Sequence, residues 1–207
     1  MKKFIPVFVL LAACSQSGKE NLLPVYGATV IEEKDTTYHT IKDFRLMDQD
    51  SVIITNESIS DKIYVADFFF TSCPTICPAM KAQMLRVYEK FESNKGFIIL
   101  SHTIDPKHDT IPLLNDYAAR LGVSSESWKF LWGDQDEIYE LAEGSYLSIA
   151  DEDAEAPGGF VHSGAFLLVD KDRRVRGVYD GTVKEQVDVL INDVKKLLKE
   201  YNPNKGI

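Results

Sequence analysis

Apolar positions fall in short runs divided by polar breaks, and the densest run organises the chain. Residues 64–80 read YVADFFFTSCPTICPAM. The first half is short, aromatic-rich and almost uncharged, which predicts a buried central strand. Cys73 and Cys77 follow, each succeeded by a proline. A fixed φ and a missing N–H suit a loop and then the first turn of a helix. The pattern therefore delivers two thiols to the carboxyl end of a strand, against a helix N-terminus.

The remaining pattern is read the same way. Residues 38–54 alternate roughly and break at Asp48-Gln49-Asp50-Ser51, a hairpin with a polar turn. Met80, Met84, Val87, Tyr88 and Phe91 recur at helical spacing, in a helix that runs to about Ser93 and stops at Asn94-Lys95-Gly96. Residues 97–104 form a second buried strand ending at Asp105-Pro106. Asp109-Thr110 can cap a helix carrying Leu113, Leu114, Tyr117, Ala118 and Leu121, which stops at Gly122. Residues 128–132 are a short strand, and Asp134 with Glu137 gives a capping-box-like start to the next helix. The acidic, then Pro/Gly-rich stretch 151–159 reads as a mobile loop. Two strands, 164–170 and 173–179, precede a last helix with Val187, Leu190, Ile191, Val194, Leu197 and Leu198 on one face.

That order, a βαβ half followed by ββα, predicts an α/β domain with a central mixed sheet flanked by helices. It is a thioredoxin-like fold with an N-terminal β-hairpin extension. The cysteine loop then lies at the carboxyl edge of the sheet, where ligands gather.

Composition adds an address and excludes a partner. The chain has 207 residues, 44% of them hydrophobic, enough for one core. Two lysines, then FIPVFVLLAAC, form a secretory signal too short to span a membrane as a mature helix. Residues 11–14 resemble the bacterial lipobox, in which Cys14 becomes the lipidated N-terminus. The expected organisation is a lipoprotein signal over 1–13, anchor and tether over 14–36, the folded domain over 37–202 and a tail over 203–207. Cleavage before Cys14 removes Lys2 and Lys3, taking the formal charge from −9 to −11. So acidic a protein is a poor ligand for nucleic acid. An acyl anchor would instead hold it on a membrane of the bacterial cell envelope, facing the periplasm or extracytoplasmic space.

With Cys14 assigned to the anchor, Cys73 and Cys77 are a lone pair in an exported protein. A disulfide between them closes a very small loop and gains little chain entropy, so redox or metal chemistry explains them better than a structural staple. Residues four apart share a helix face, so both sulfurs can meet one ion if 73–77 is helical or nearly so. A helix N-terminus also lowers thiol pKa values. Two soft anionic donors select Cu(I), Zn(II) or Fe–S chemistry. Fe–S clusters and structural zinc want four good donors, whereas copper is held by fewer. His162, in Gly-Gly-Phe-Val-His-Ser-Gly, lies on the loop expected to face the cysteines and is the candidate third ligand. His102 ends a strand on the same edge and could orient a ligand, donate to the metal or hydrogen-bond near Asp105. His108 reads as exposed and His39 as uninvolved.

FFFTSCPTICPAM, then HTIDPKHDT, then FVHSGAFLLVDKDRRVRGVYDGT resemble the Sco (SenC) family of copper-binding, thioredoxin-like proteins, from about Phe44 to the end. The resemblance implies that Cys73, Cys77 and His162 bind one copper ion, Cu(I) or Cu(II). It implies a partner too, the copper-accepting subunit of a cytochrome oxidase or another cuproprotein, which is given copper or has its cysteines reduced. That is more a carrier's task than an enzyme's, with thiol-disulfide reductase activity beside it. Family members commonly carry aspartate where this chain has Val161, and a small or apolar residue where it has His102. The rival class is a thiol-disulfide oxidoreductase or thiol peroxidase with Cys73 attacking and Cys77 resolving. A copper or redox sensor is a third reading.

Overall fold

The computed structural model describes residues 22–32, 35–153 and 160–201. In chain order these form β1 (Thr29–Glu32), β2 (Asp35–Tyr38), β3 (Arg45–Met47), β4 (Ile53–Thr55), a 3₁₀ turn (Glu57–Ile59) and β5 (Ile63–Phe69). There follow α1 (Cys77–Phe91), β6 (Phe97–Thr103), α2 (Ile111–Leu121), β7 (Trp128–Leu131) and α3 (Gln135–Gly144). The chain continues through β8 (Ala150–Glu152), β9 (Phe160–His162), β10 (Ala165–Val169), β11 (Val175–Asp180) and α4 (Lys184–Tyr201). No helix among the described residues is long and apolar enough to cross a membrane. The signal segment, Cys14 and most of the acidic loop 151–159 lie outside the described residues.

A five-stranded sheet, ordered β11-β10-β5-β6-β7, carries the fold. β5, β6 and β7 run parallel, while β10 and β11 are antiparallel to their neighbours. β5 is buried at all seven positions, because both of its faces are covered. Alternation sends Asp67 and Phe69 to one face and Phe68 to the other. The first face meets α1 and the Tyr117 ring of α2. The second meets Tyr146, at the end of α3, and Phe44. This is the mixed, helix-flanked, thioredoxin-like sheet that the pattern predicts.

Local chemistry accounts for the helix ends. α2 stops at Gly122, whose φ of +70° is the left-handed conformation glycine adopts freely. Asp134 caps α3 by accepting from the Asp136 and Glu137 N–H groups. The predicted hairpin is present as β3–β4, turning at Asp48–Ser51. It covers the β7 edge, where Met47 bridges Trp132 and the Gln49 side chain bonds to Trp128 O and Phe130 N.

The stretch expected to be only tether holds more structure. β1 and β2 pair within it. The Tyr26 N–H donates to Val175 O, and Arg176, almost fully buried, holds the Leu23 and Pro24 carbonyls while pairing with Asp170 and Glu200. Exposure hid this hairpin, Val30 and Ile31 included, since an unburied strand leaves no hydrophobic period.

Candidate metal centre

The two cysteines sit where β5 gives way to α1. The stretch 73–76 is not helical: Cys73 is in the loop and Cys77 opens the helix. The expectation that 73–77 forms one helical turn is therefore corrected. Pro74 disfavours the helical region for the residue before it, and Pro78 suits the first turn. The thiols meet all the same, Cys77 hydrogen-bonding to Cys73. Both are more than nine-tenths buried.

Their environments push them apart. Burial raises Cys73, but hydrogen bonds from the Cys77 thiol, the Thr75 and Cys77 backbone and the Thr75 hydroxyl outweigh it and hold this thiol below its ordinary value. Burial drives Cys77 far above the ordinary range, and its hydrogen bond to Cys73 and the nearby charges of Cys73 and Asp67 add to this, against a backbone bond with Phe70. The helix N-terminus does not lower both thiols. At Cys77, burial wins.

Asp109, fully buried, fastens the approach to the cysteines. Its carboxylate accepts from the Thr71 N–H (3.0 Å), the Thr71 hydroxyl and the Thr103 hydroxyl (2.6 Å), and bonds to His108 Nδ1 (3.0 Å). The sequence suggests a helix cap here. The structure gives that place to Thr110, without a side-chain bond, and spends Asp109 on joining the β6–α2 loop to the cysteine loop.

His162 lies not in a loop but at the end of β9, opposite Ala150 of β8. Its side chain falls outside the described atoms, and its neighbours place the strand. Phe160 packs on Phe70 with ring centroids 5.1 Å apart. Gly164 abuts Ile76, whose Cδ1 would lie 3.7 Å from a Cβ at that glycine. The residues two before and two after His162 thus touch the loop that carries both cysteines. Among the described residues, no group of three or more His, Cys, Asp or Glu side chains forms a cluster fit for a metal.

His102 is on the other face. Its ring stacks on Phe68 (5.0 Å) and packs against Phe44 and Tyr146, with Nδ1 3.3 Å from Asp67 O. The bond expected near Asp105 is not made. The sheet separates this ring from the face that Asp67 shares with Cys77, and Nε2 has no partner among the described residues. The Asp105 carboxylate instead accepts from the His108 N–H, closing its own turn. Burial pushes the His102 imidazole down to about 4, despite hydrogen bonds to backbone carbonyls. Its unfolded value is near 6.5, so stability from the neutral ring is full above that pH and is lost as pH falls through about 4. Urea unfolding from pH 7 to 4 should show His102→Leu losing about 2–3 kcal/mol less than the native protein. An unchanged pH slope would contradict this assignment.

Sequence reading also missed Asp67, the lone carboxylate in the apolar run. It is buried, accepts from the Ser101 hydroxyl (2.5 Å), and is pushed up to about 7 by burial. The signal was present: an acidic residue inside a central strand needs a reason to be there.

Comparison with known proteins follows this geometry. The family profile described as SCO1/SenC matches residues 32–199. The SCO1 protein homolog of Bacillus subtilis is 34% identical over 164 residues, 78% of this chain and 84% of that one. A SCO1/SenC family lipoprotein from Bacillus anthracis superposes with a TM-score of 0.70 at 25% identity, covering 77% of this chain and 95% of that one. BsSco, described as a member of the Sco family of cytochrome c oxidase assembly proteins, gives 0.68 at 34%, covering 77% and 93%. The copper-bound structure of Arabidopsis thaliana ScoI shares the fold, with a TM-score of 0.64 at 23% identity over 77% and 98%. By its cysteine loop, its sheet and these matches, the chain belongs to the SCO1/SenC family.

Proposed function

We propose that this protein carries copper to a respiratory cytochrome oxidase, as a lipoprotein anchored through Cys14 in the bacterial envelope. The observation that carries the reading is the hydrogen-bonded pair of thiols at the carboxyl edge of the sheet. Copper is cargo here, with Cys73, Cys77 and His162 as its ligands. Two thiolates suit Cu(I), and an added imidazole suits Cu(II). A site of few ligands allows handover by ligand exchange to a partner richer in donors. The family of BsSco and the copper in ScoI support the partner and the cargo. The lipobox-like 11–14 and the lipoprotein relative support the anchor.

A second reading, reduction of the partner's cysteines, is favoured by the asymmetry of the thiols. The lowered Cys73 is built to attack a partner disulfide, forming a mixed disulfide and releasing one partner thiolate. Cys77 then attacks Cys73, and the second partner thiolate leaves. Two electrons pass to the partner, and Cys73–Cys77 is oxidised.

Both readings share the same two sulfurs, so copper loading and the disulfide exclude each other. Titrating reduced and oxidised protein with Cu(I) and Cu(II) tests this. The reduced form should take up one equivalent and the oxidised form none. Equal uptake by both would overturn the proposal.

A further inference from the structure

The exposed apolar side chains are unevenly placed. Among the described residues eleven large ones are exposed, and five of them, Leu22, Tyr26, Val30, Ile31 and Tyr38, fall within residues 22–38. Ile31 is 80% exposed and Val30 55%. Strand alternation puts these two on opposite faces of the β1–β2 hairpin, so neither face is covered. A two-stranded hairpin is marginal in water by itself, and apolar residues gathered on an uncovered one mark a contact surface.

The segment is nevertheless fixed to the domain. Arg176, almost fully buried, donates to the Leu23 (2.7 Å) and Pro24 (3.0 Å) carbonyls and is itself held by Asp170 and Glu200. Gly27 then turns the chain towards β1 with φ +96°, and a Cβ there would lie 2.6 Å from the His39 Cβ. At the base of the hairpin the His39 N–H donates to Ala28 O (3.0 Å), and His39 Nε2 bonds to Ser145 O (2.8 Å). The Arg174 guanidinium lies over the Tyr38 ring, 5.5 Å from its centre.

The sheet tells which end of the domain this is. The Tyr26 N–H donates to Val175 O (2.8 Å), Val175 pairs with Val169, and Val169 pairs with Tyr64 near the start of β5. The cysteine loop leaves the opposite end of β5, about 20 Å away along the strand. Chain length then limits what can cover the exposed residues. Leu22 follows Cys14 by 22 − 14 = 8 residues, which span at most about 30 Å when fully extended. With Cys14 in a membrane, the clamped segment and its hairpin stay close to that surface.

We propose that the β1–β2 hairpin and the segment before it rest on the phospholipid bilayer, a second contact beside the acyl anchor that turns the metal centre away from the membrane. The inference rests on anchoring through Cys14. Valine, isoleucine and leucine leave water at the headgroup boundary, and tyrosine suits that boundary with an apolar ring and a polar hydroxyl. The far end of the hairpin pairs Glu32 with Asp35. Carboxylates stay out of hydrocarbon, so the hairpin lies along the surface instead of entering end first. The contact is apolar and needs no anionic lipid. The cysteines, at the other edge of the sheet, then face the aqueous side from which a partner approaches.

The full-length, acylated protein reconstituted into vesicles of phosphatidylcholine brominated in its acyl chains tests this. Val30→Trp and Ile31→Trp read the two faces of the hairpin, and Ile149→Trp, whose carbonyl accepts from the Ser163 N–H, reads the metal edge. All three positions are exposed, so the fold has room for the ring. Beyond the signal of Trp128 and Trp132, at least one hairpin tryptophan should lose about half its emission relative to unbrominated vesicles, and Ile149→Trp none. Hydrogen exchange of the β1–β2 amides should slow about 10-fold on reconstitution, and Val30→Ser with Ile31→Ser should abolish the slowing. Neither hairpin tryptophan quenched, in protein that floats with the vesicles, would overturn the bilayer contact while leaving the anchor intact. Quenching of Ile149→Trp alone would reverse the orientation and overturn it as well. Slowed exchange without quenching would give the hairpin to a second copy or another protein, again overturning it. Protein that does not float with the vesicles would overturn anchoring through Cys14 and the inference with it.

Discussion

Replacing Cys77 by serine is expected to lower copper affinity by more than about 100-fold, beyond the 10–100-fold typical of residues that merely support a ligand. Cys73→Ser should do the same. The reason lies in donor softness: a hydroxyl does not replace a thiolate for Cu(I), and the two sulfurs are the only soft donors the loop offers apart from the core methionines. Met80 and Met84 do not rescue the site, because both are buried in the helix core. Serine is slightly smaller and leaves the loop's backbone bonds in place, so far-ultraviolet circular dichroism should be unchanged. Competition titration with a chromophoric Cu(I) chelator measures the loss. Native affinity in either variant would remove that sulfur from the site.

The second large effect is expected from Asp109→Ala. The substitution leaves the half-buried Thr71 N–H and hydroxyl and the fully buried Thr103 hydroxyl without their acceptor. Each orphaned donor costs about 1–3 kcal/mol, and partial rearrangement keeps the total near 3–5 kcal/mol. The loss should show in urea unfolding. Hydrogen exchange should localise it, with the Thr71 amide losing protection more than amides in α4. Copper affinity should fall with it by about 10-fold or more, because Thr71 leads directly into the cysteine loop. A loss below about 1 kcal/mol would mean that the loop holds itself and that Asp109 is dispensable.

Much of the architecture was legible because burial leaves a period. β5 and β6 announced themselves as dense apolar runs, α1 and α4 as helical stripes, and Gly122 and Asp134 as terminal signals. What stayed hidden has three physical causes. β1, β2, β8 and β9 are only three or four residues long, and β1, β2 and β8 are largely exposed, so no pattern marks them. The contact of Asp109 with Thr71 spans 38 residues of sequence, and a local reading gave the carboxylate a local job. The third cause is a balance of effects. A helix N-terminus argues for two acidic thiols, yet desolvation at Cys77 is larger than any dipole there, and only packing reveals it. Asp67 belongs with these. A single charge in an apolar run reads as an irregularity until its bond to the Ser101 hydroxyl is seen.

The pairing of Cys73 with Cys77 is described by the structure, whereas His162 is known by its strand and its neighbours. X-ray absorption of the copper-loaded protein, beside His162→Ala, tests the three-ligand centre most directly. The account predicts two sulfur donors in both proteins and an imidazole scattering signature on Cu(II) that disappears in the variant. A loaded protein with one sulfur or none, or an imidazole signal unchanged in His162→Ala, would contradict it.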